Sequence, residues 1–194
     1  MSLKSVSAYI VLLFLFSTKA TGQGEASIFD FLNLPSSSHA MALGGKNISL
    51  IEDDASLVFS NPALMSSVSD KTLNLNFITY MQGSNAGNLS YVQATGDRGT
   101  WAAMAQFVGY GHITETNEWG DIIGSSAVLD LHVSGGYSYL LSDKWAGGVN
   151  GKFLYSNYAG YSSIALAVDL GINYYHSDHD LSISFVAANL GGQV

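Results

Sequence analysis

The sequence contains no cysteine, only two prolines, and only 7 lysine and arginine residues together. Without cysteine, neither a disulfide framework nor a thiolate metal site can form. Charged residues make up 11% of the chain, against roughly 25% in ordinary soluble domains. The formal net charge is −8, and no basic stripe is available to meet phosphates, so nucleic acid is not expected as a partner.

The first residues have the pattern of an export signal. Lys4 precedes an apolar run at 8–16, and Ala20 and Gly22 place small side chains before Gln23. This order of basic, apolar and small residues is typical of a secretory signal peptide. The apolar run is too short to cross a bilayer, which takes about twenty residues in a helix. We therefore predict that residues 1–22 form a removable signal peptide.

From residue 72 onward, apolar side chains recur at every second position, which is the period of a β-strand. The pattern predicts seven strands, at about 72–82, 88–96, 100–110, 127–141, 145–156, 163–175 and 181–190. Short polar turns at 96–99, 142–144 and 176–180 alternate with mostly longer connections at 83–86, 111–126 and 157–161. Tight turns at one end and longer loops at the other are typical of a transmembrane β-barrel.

The charged residues within the strands fall on the polar side of the alternation. Asp130, Lys152 and Asp169 all lie opposite the apolar positions of their strands. A basic residue facing lipid near the bilayer midplane would cost roughly 2–4 kcal/mol, so these three are predicted to face the barrel lumen. Pairing the strands outward from 157–161 places Lys152 diagonal to Asp169, which favours a structural ion pair over a contact with substrate.

Aromatic residues cluster near the predicted strand ends, where amphipathic rings would meet the membrane interfaces. Those predicted at the periplasmic end are Trp101, Tyr139, Trp145 and Tyr174, and those at the outer end are Tyr80, Tyr110, Tyr155 and Tyr158. A soluble exported β-sandwich is the alternative fold, because tyrosine and tryptophan are common in any strand.

Residues 23–71 lack the alternation and are predicted to form a hatch, or plug, at the periplasmic side of the strands at 72–194. The fold class is then all-β, a transmembrane outer-membrane β-barrel with an N-terminal hatch. Seven strands is an odd number, whereas bacterial single-chain barrels have even numbers. An open sheet edge within lipid would leave backbone groups unpaired. We therefore expect either the N-terminal half of a longer barrel or a further strand within the plug.

Three consecutive acids, Glu52, Asp53 and Asp54, raise the possibility of a metal or acid/base site. Neighbouring side chains point in different directions, and the calcium-loop spacing is absent. A turn in which the Asp side chains bind nearby backbone N–H groups is therefore favoured. His176 and His179 are likewise assigned to a solvated turn.

No nucleophile elbow and no phosphate-binding loop occurs in the sequence. The prediction is a protein that is not an enzyme, with no catalytic residue, no cofactor and no metal.

The stretch 29–65 resembles the N-terminal region of the PorQ family, outer-membrane proteins of the type IX secretion system of Bacteroidota. The matching elements are Phe-Leu-Asn-Leu-Pro at 31–35, Ala-Leu-Gly-Gly at 42–45, the Asp-Asp turn at 53–54 and Asn-Pro-Ala at 61–63. The Asn-Pro-Ala turn after an acidic step is shared with PorV and the FadL-like transporters. In those proteins it belongs to the hatch of a barrel of usually about fourteen strands.

The resemblance implies a non-enzymatic component of the type IX secretion system in the outer membrane of a Gram-negative bacterium of the Bacteroidota. It would contact outer-membrane lipid and anchor the surface attachment complex, with PorU-, PorV- and PorZ-type proteins as partners. The alternative is a FadL-like outer-membrane transporter of hydrophobic small molecules. The hatch residues that carry the resemblance are Leu34, Pro35, Ala42, Leu43, Gly44, Gly45, Asp53, Asp54, Asn61, Pro62 and Ala63.

Overall fold

The computed structural model describes residues 30–80, 83–158 and 160–194. The predicted signal peptide and the first residues of the predicted hatch lie outside these ranges. Residues 30–71, called the hatch below, contain one short α-helix, α1 (Ser38–Ala42), and the 3-10 helices Asp30–Asn33, Leu57–Phe59 and Pro62–Ser67. Within the described ranges, no helix has the length and apolarity needed to cross a membrane.

The rest of the chain forms one seven-stranded antiparallel sheet in which sequence order and spatial order are the same. The strands are β1 (Thr72–Thr79), β2 (Asn85–Thr95), β3 (Gly99–Thr116), β4 (Ile122–Ser142), β5 (Trp145–Tyr158), β6 (Tyr161–His176) and β7 (Leu181–Gln193). All seven predicted strands are therefore confirmed. The sheet is open in the described residues, because β1 pairs with β2 and β7 pairs with β6. The sheet does not close into a barrel within the described residues, and the further strand expected within the plug is not found at 30–71.

The predicted loop at 111–126 is mostly wrong. β3 continues to Thr116 and β4 starts at Ile122, so only 117–121 form a turn. The two strands stay paired beyond the level at which β2 and β5 end, with register shifts after Gly109 and after Glu115. Among the described residues this extension has no neighbouring strand on either side, and its sequence lacks the apolar alternation by which the other strands were recognised.

The two faces of the sheet have opposite polarity, and the polar one is buried. On β4, β5 and β6 the outward positions are apolar and exposed; Leu166, for example, is 54% exposed and Leu170 is 48% exposed. The opposite positions are polar and buried, including Asp130, His132, Ser134, Ser138, Asn150, Lys152, Asp169 and Asn173. This arrangement confirms the predicted alternation of the strands. It is the reverse of a soluble sheet, whose apolar face is the buried one.

The hatch packs on the polar face, where its apolar side chains meet apolar side chains of the sheet that lie among the polar ones. One core cluster joins the hatch residues Ala55, Val58, Met65 and Val68 to Val92, Ala102 and Met104 of the sheet. A second cluster joins Phe31 to Ala86, Val108, Leu154 and Ala165, with Leu34 and Tyr80 packed at its margin. Tyr80 therefore points toward the hatch, and its predicted place in the outer aromatic belt is wrong.

Three glycines on adjacent strands form the floor on which the hatch sits. They are Gly136, Gly148 and Gly171, and a side chain added to any of them would run into the hatch. A Cβ on Gly148 would lie 2.6 Å from the backbone nitrogen of Ala63. We call these three residues the glycine floor. Its lack of side chains lets two backbones approach closely, which is the usual reason for glycine in a strand interior.

Gly148→Ala is expected to destabilise the folded protein by about 1–3 kcal/mol, because the added methyl group meets fixed backbone atoms. The matched control is Gly151→Ala on the outward face of the same strand, where the nearest atom to a new Cβ is 3.9 Å away. Urea unfolding of both variants under identical conditions checks this. Equal midpoints for the two would contradict the close approach.

Candidate functional site

The Asn-Pro-Ala turn is the point at which the hatch meets the glycine floor. Asn61 is fully buried and caps the 3-10 helix Pro62–Ser67, with its side-chain oxygen accepting from Ala63 N at 2.9 Å. Its side-chain nitrogen donates to the carbonyl of Ile48 at 2.7 Å. Pro62 occupies the first helical position, where its missing N–H is not needed. The Ser138 hydroxyl of β4 donates to the Ala63 carbonyl at 3.2 Å and fixes the turn to the sheet.

The three adjacent acids do not converge on one point: Asp53 binds Ser69, whereas Glu52 and Asp54 contact opposite ring nitrogens of His39. Both carboxylate oxygens of Asp53 bind Ser69, one accepting from its backbone N–H at 2.7 Å and the other from its hydroxyl at 2.5 Å. Asp54 accepts from Ser56 N at 2.8 Å and contacts His39 Nδ1 at 2.9 Å. Glu52 lies 3.4 Å from the other ring nitrogen of His39. Each carboxylate therefore ties one part of the hatch to another.

His39 is the residue that the sequence analysis missed in this part of the hatch. Hydrogen bonding to Asp54 raises the pKa of His39, and the negative charges of Glu52 and Asp54 add to the effect. Burial disfavours the charged form of Asp54, but hydrogen bonds from His39 and Ser56 outweigh it and hold its pKa below the usual value. Hydrogen bonds from the Ser69 hydroxyl and backbone lower the pKa of Asp53.

The remaining family-like residues shape the first part of the hatch. Gly44 and Gly45 end α1 with φ of +93° and +110°, and Gly45 N donates to the Ala40 carbonyl at 2.8 Å. Ala42 and Leu43 precede them and are exposed. Leu34 and Pro35 are half-buried, and both line the interface between hatch and sheet. These roles are structural, since none of these residues presents a reactive group.

Lys152 and Asp169 form a buried ion pair on the polar face. Lys152 Nζ lies 2.6 Å from Asp169 Oδ2, and both side chains are over 90% buried. The strand register pairs Asn150 with Asp169 and Lys152 with Ala167, which is the diagonal geometry that the sequence predicts. Asn189 of β7 completes the group, donating its backbone N–H to Asp169 at 2.8 Å and accepting from Lys152 at 2.9 Å.

Asp130 and His132 lie on the same face and are less fully hydrogen-bonded than the Lys152–Asp169 pair. Asp130 is 4% exposed and His132 is 1% exposed. Asp130 Oδ1 and both ring nitrogens of His132 have no hydrogen-bond partner among the described residues. His132 borders a cavity of about 10 Å³ between hatch and sheet that Lys46 and Lys152 also line. A polar cavity of that size has room for about one water molecule.

The arrangement can hold a hatch in place but brings no reactive set of side chains together. Within the described residues, no three His, Cys, Asp or Glu side chains are grouped so that they could hold a metal ion. His176 and His179 sit in and beside the turn at 177–180, with ring centroids 4.9 Å apart. The acidic turn instead fastens parts of the hatch to one another, and the Asn-Pro-Ala turn fastens the hatch to the glycine floor. The ion pair joins strands of the sheet to each other.

A scan against protein-family models finds no match to this sequence, and a search of curated proteins also finds none. The resemblance of residues 29–65 to the PorQ family therefore rests on the quoted residues.

Lys152→Met is expected to destabilise the protein by about 3–5 kcal/mol, because Asp169 would keep a buried charge without its cation. The double variant Lys152→Met/Asp169→Asn should recover most of the loss, since no charge is then left unpaired. Unfolding in urea, followed by the mobility of folded and unfolded bands on gels, measures both. A single variant as stable as the parent would contradict a structural ion pair.

The contact between His39 and Asp54 should make the hatch sensitive to pH. A raised His39 pKa gives stability that is full below 6.5 and is lost as pH rises through the higher folded value. A lowered Asp54 pKa gives stability that is full above 3.8 and is lost as pH falls through the lower folded value. Protease resistance of the hatch should therefore be greatest between pH 3.8 and pH 6.5, where both contributions to stability are full.

His39→Gln should abolish the loss of protease resistance above neutral pH, whereas His112→Gln, on the exposed extension of β3, should leave the pH profile of the parent. A parent profile that stays flat from pH 5 to pH 9 would count against this contact.

Proposed function

We propose that this chain is an outer-membrane β-barrel protein whose sheet forms barrel wall and whose hatch fills the space behind it. In this proposal it is a non-enzymatic component of the type IX secretion system. It anchors the surface attachment complex, with PorU-, PorV- and PorZ-type proteins as partners.

The observation that carries the membrane part of the proposal is the inverted polarity of the sheet. The hatch covers the polar face, and nothing in the described part of the chain covers the apolar face. In water that face would be an exposed apolar patch far larger than monomeric soluble proteins usually tolerate. A soluble β-sandwich would place a second layer on the apolar face, whereas in the residues that the structure describes the second layer lies on the polar one. A sheet with apolar side chains on its outward face and polar side chains on its inward face is suited to a lipid environment.

The aromatic residues at the end with short turns add support. Trp145 and Tyr174 are cross-strand partners with ring centroids 5.0 Å apart, and Tyr91 and Trp101 lie 5.6 Å apart. Trp101, Tyr139 and Trp145 are all at least 36% exposed on the outward face. Such a band is typical of an interface between hydrocarbon and headgroups.

The packing between hatch and sheet favours anchoring over transport. A transporter of hydrophobic molecules needs an apolar cavity, and ligand sites usually measure about 300–1,000 Å³. The cavity between hatch and sheet measures about 10 Å³ and is bordered by two lysines and a histidine. Larger apolar pockets of about 740 and 360 Å³ are lined mainly by outward-facing residues of the sheet and do not lie behind the hatch. The acidic turn, the Asn-Pro-Ala turn and the glycine floor hold the hatch closed over it. We therefore place the FadL-like transporter second.

The test is an affinity purification of the tagged full-length protein from the outer membrane of its own bacterium. The proposal predicts that the protein fractionates with the outer membrane and recovers attachment-complex components. An unrelated tagged barrel from the same membrane is the control and should recover none. Recovery from the soluble fraction would contradict the membrane part, and a membrane-bound protein without these partners would contradict the anchoring part.

A further inference from the structure

The paired ends of β3 and β4 project beyond the rest of the sheet as a two-stranded ribbon at 110–127. β2 pairs with β3 only as far as Gly109, and β5 pairs with β4 only from Val128. Seven residues of β3 extend past this level, which at about 3.3 Å per residue is a projection of roughly 20 Å. Ile122 and Ile123 are 74% and 66% exposed.

The turn at the tip, 117–121, is held by its own hydrogen bonds. Asn117 Oδ1 accepts from Trp119 N at 3.0 Å and from Asp121 N at 2.8 Å. The Asn117 side-chain nitrogen also donates to Asp121 Oδ2 at 3.1 Å. The backbone N–H of Asn117 donates a hydrogen bond to the Asp121 carbonyl at 3.0 Å. Gly120 has φ of +86° and completes the turn. The tip is therefore a defined structure rather than a loose loop.

This turn presents a large apolar side chain to solvent between two acids. Trp119 is 83% exposed, and Glu118 and Asp121 are exposed beside it. The sequence contains no lysine or arginine from residue 99 to residue 143. An exposed tryptophan on an ordered turn is unfavourable in water and is the residue type most often found to dominate binding at protein interfaces. The acids would be attracted to a basic rim.

We propose that the ribbon tip is a docking site for a protein whose surface offers an apolar pocket with a basic rim. Trp119 fills the pocket, and Glu118 and Asp121 meet the rim. The inference rests on the proposed function in one respect: the partner is taken to be a surface protein of the attachment complex. It goes beyond that function by assigning the contact to the turn at 117–121 and by specifying a partner surface with an apolar pocket and a basic rim.

Charge favours a basic protein surface over two other candidates for binding at the tip, a second copy of the chain and anionic lipid. A second copy of the chain would bring like charges together, since the formal net charge is −8 and the tip itself is acidic. Anionic lipid headgroups would repel Glu118 and Asp121 in the same way. A basic protein surface is attracted by both acids and gains the burial of the indole ring.

The test measures binding of the purified PorZ-type surface protein to the full-length protein in lipid nanodiscs. Trp119→Ala should weaken binding by roughly tenfold or more, as expected for a buried tryptophan anchor. Glu118→Lys should weaken binding as well, and raising the salt concentration should weaken the parent complex. The matched control is Tyr161→Ala, at the neighbouring turn, where the side chain is also 83% exposed; it should change affinity less than twofold.

The outcomes separate this inference from the proposed function. Equal binding by the parent and by Trp119→Ala overturns the docking site and leaves the anchoring function standing. A parent that binds no attachment-complex protein overturns both. Vesicles of phosphatidylcholine alone are the lipid probe. If Trp119→Ala abolishes an association with them that the parent shows, the tip is a lipid-binding element and the inference is wrong.

Discussion

The packing of the hatch on the polar face of the sheet is the contact on which the rest of the structure depends. It decides which face is inside, because the hatch joins the apolar side chains of that face in two core clusters and covers the Asn, Ser, His, Lys and Asp side chains beside them. The glycine floor makes the contact possible by letting the Asn-Pro-Ala turn reach the strand backbones. With that face covered, the outward apolar positions of every strand are left to the surroundings.

The buried polar groups are tolerable because most of them are paired. Asp169 is bound by Lys152, Asn150 and the backbone of Asn189, and Ser90 and Ser138 donate to hatch carbonyls. A buried ion pair adds little net stability but is costly to break on one side. Such pairs therefore fix one arrangement of strands and hatch rather than strengthen it greatly. The same physics explains why the inward face is varied in chemistry while the outward face is mainly apolar.

Much of this could be predicted from the sequence. The period of two predicts the seven strands, because each strand has one apolar face. The position of the turn between β5 and β6 predicts the diagonal between Lys152 and Asp169, because the strand register follows from the turn. The extension of β3 and β4 escaped prediction because its residues do not alternate between apolar and polar. His39, Asn189 and the glycine floor also escaped, because their roles depend on contacts between residues distant in sequence.

The claim that the outward face meets lipid is tested most directly by fluorescence quenching. The chain has no cysteine, so single cysteines at Leu166, Val168 and Leu170 can each carry an environment-sensitive dye, with Asp178 in the turn as the control. In vesicles, the account predicts that brominated lipid quenches the three outward sites and aqueous iodide quenches only Asp178. Quenching of all four sites by iodide, with no effect of brominated lipid, would contradict it.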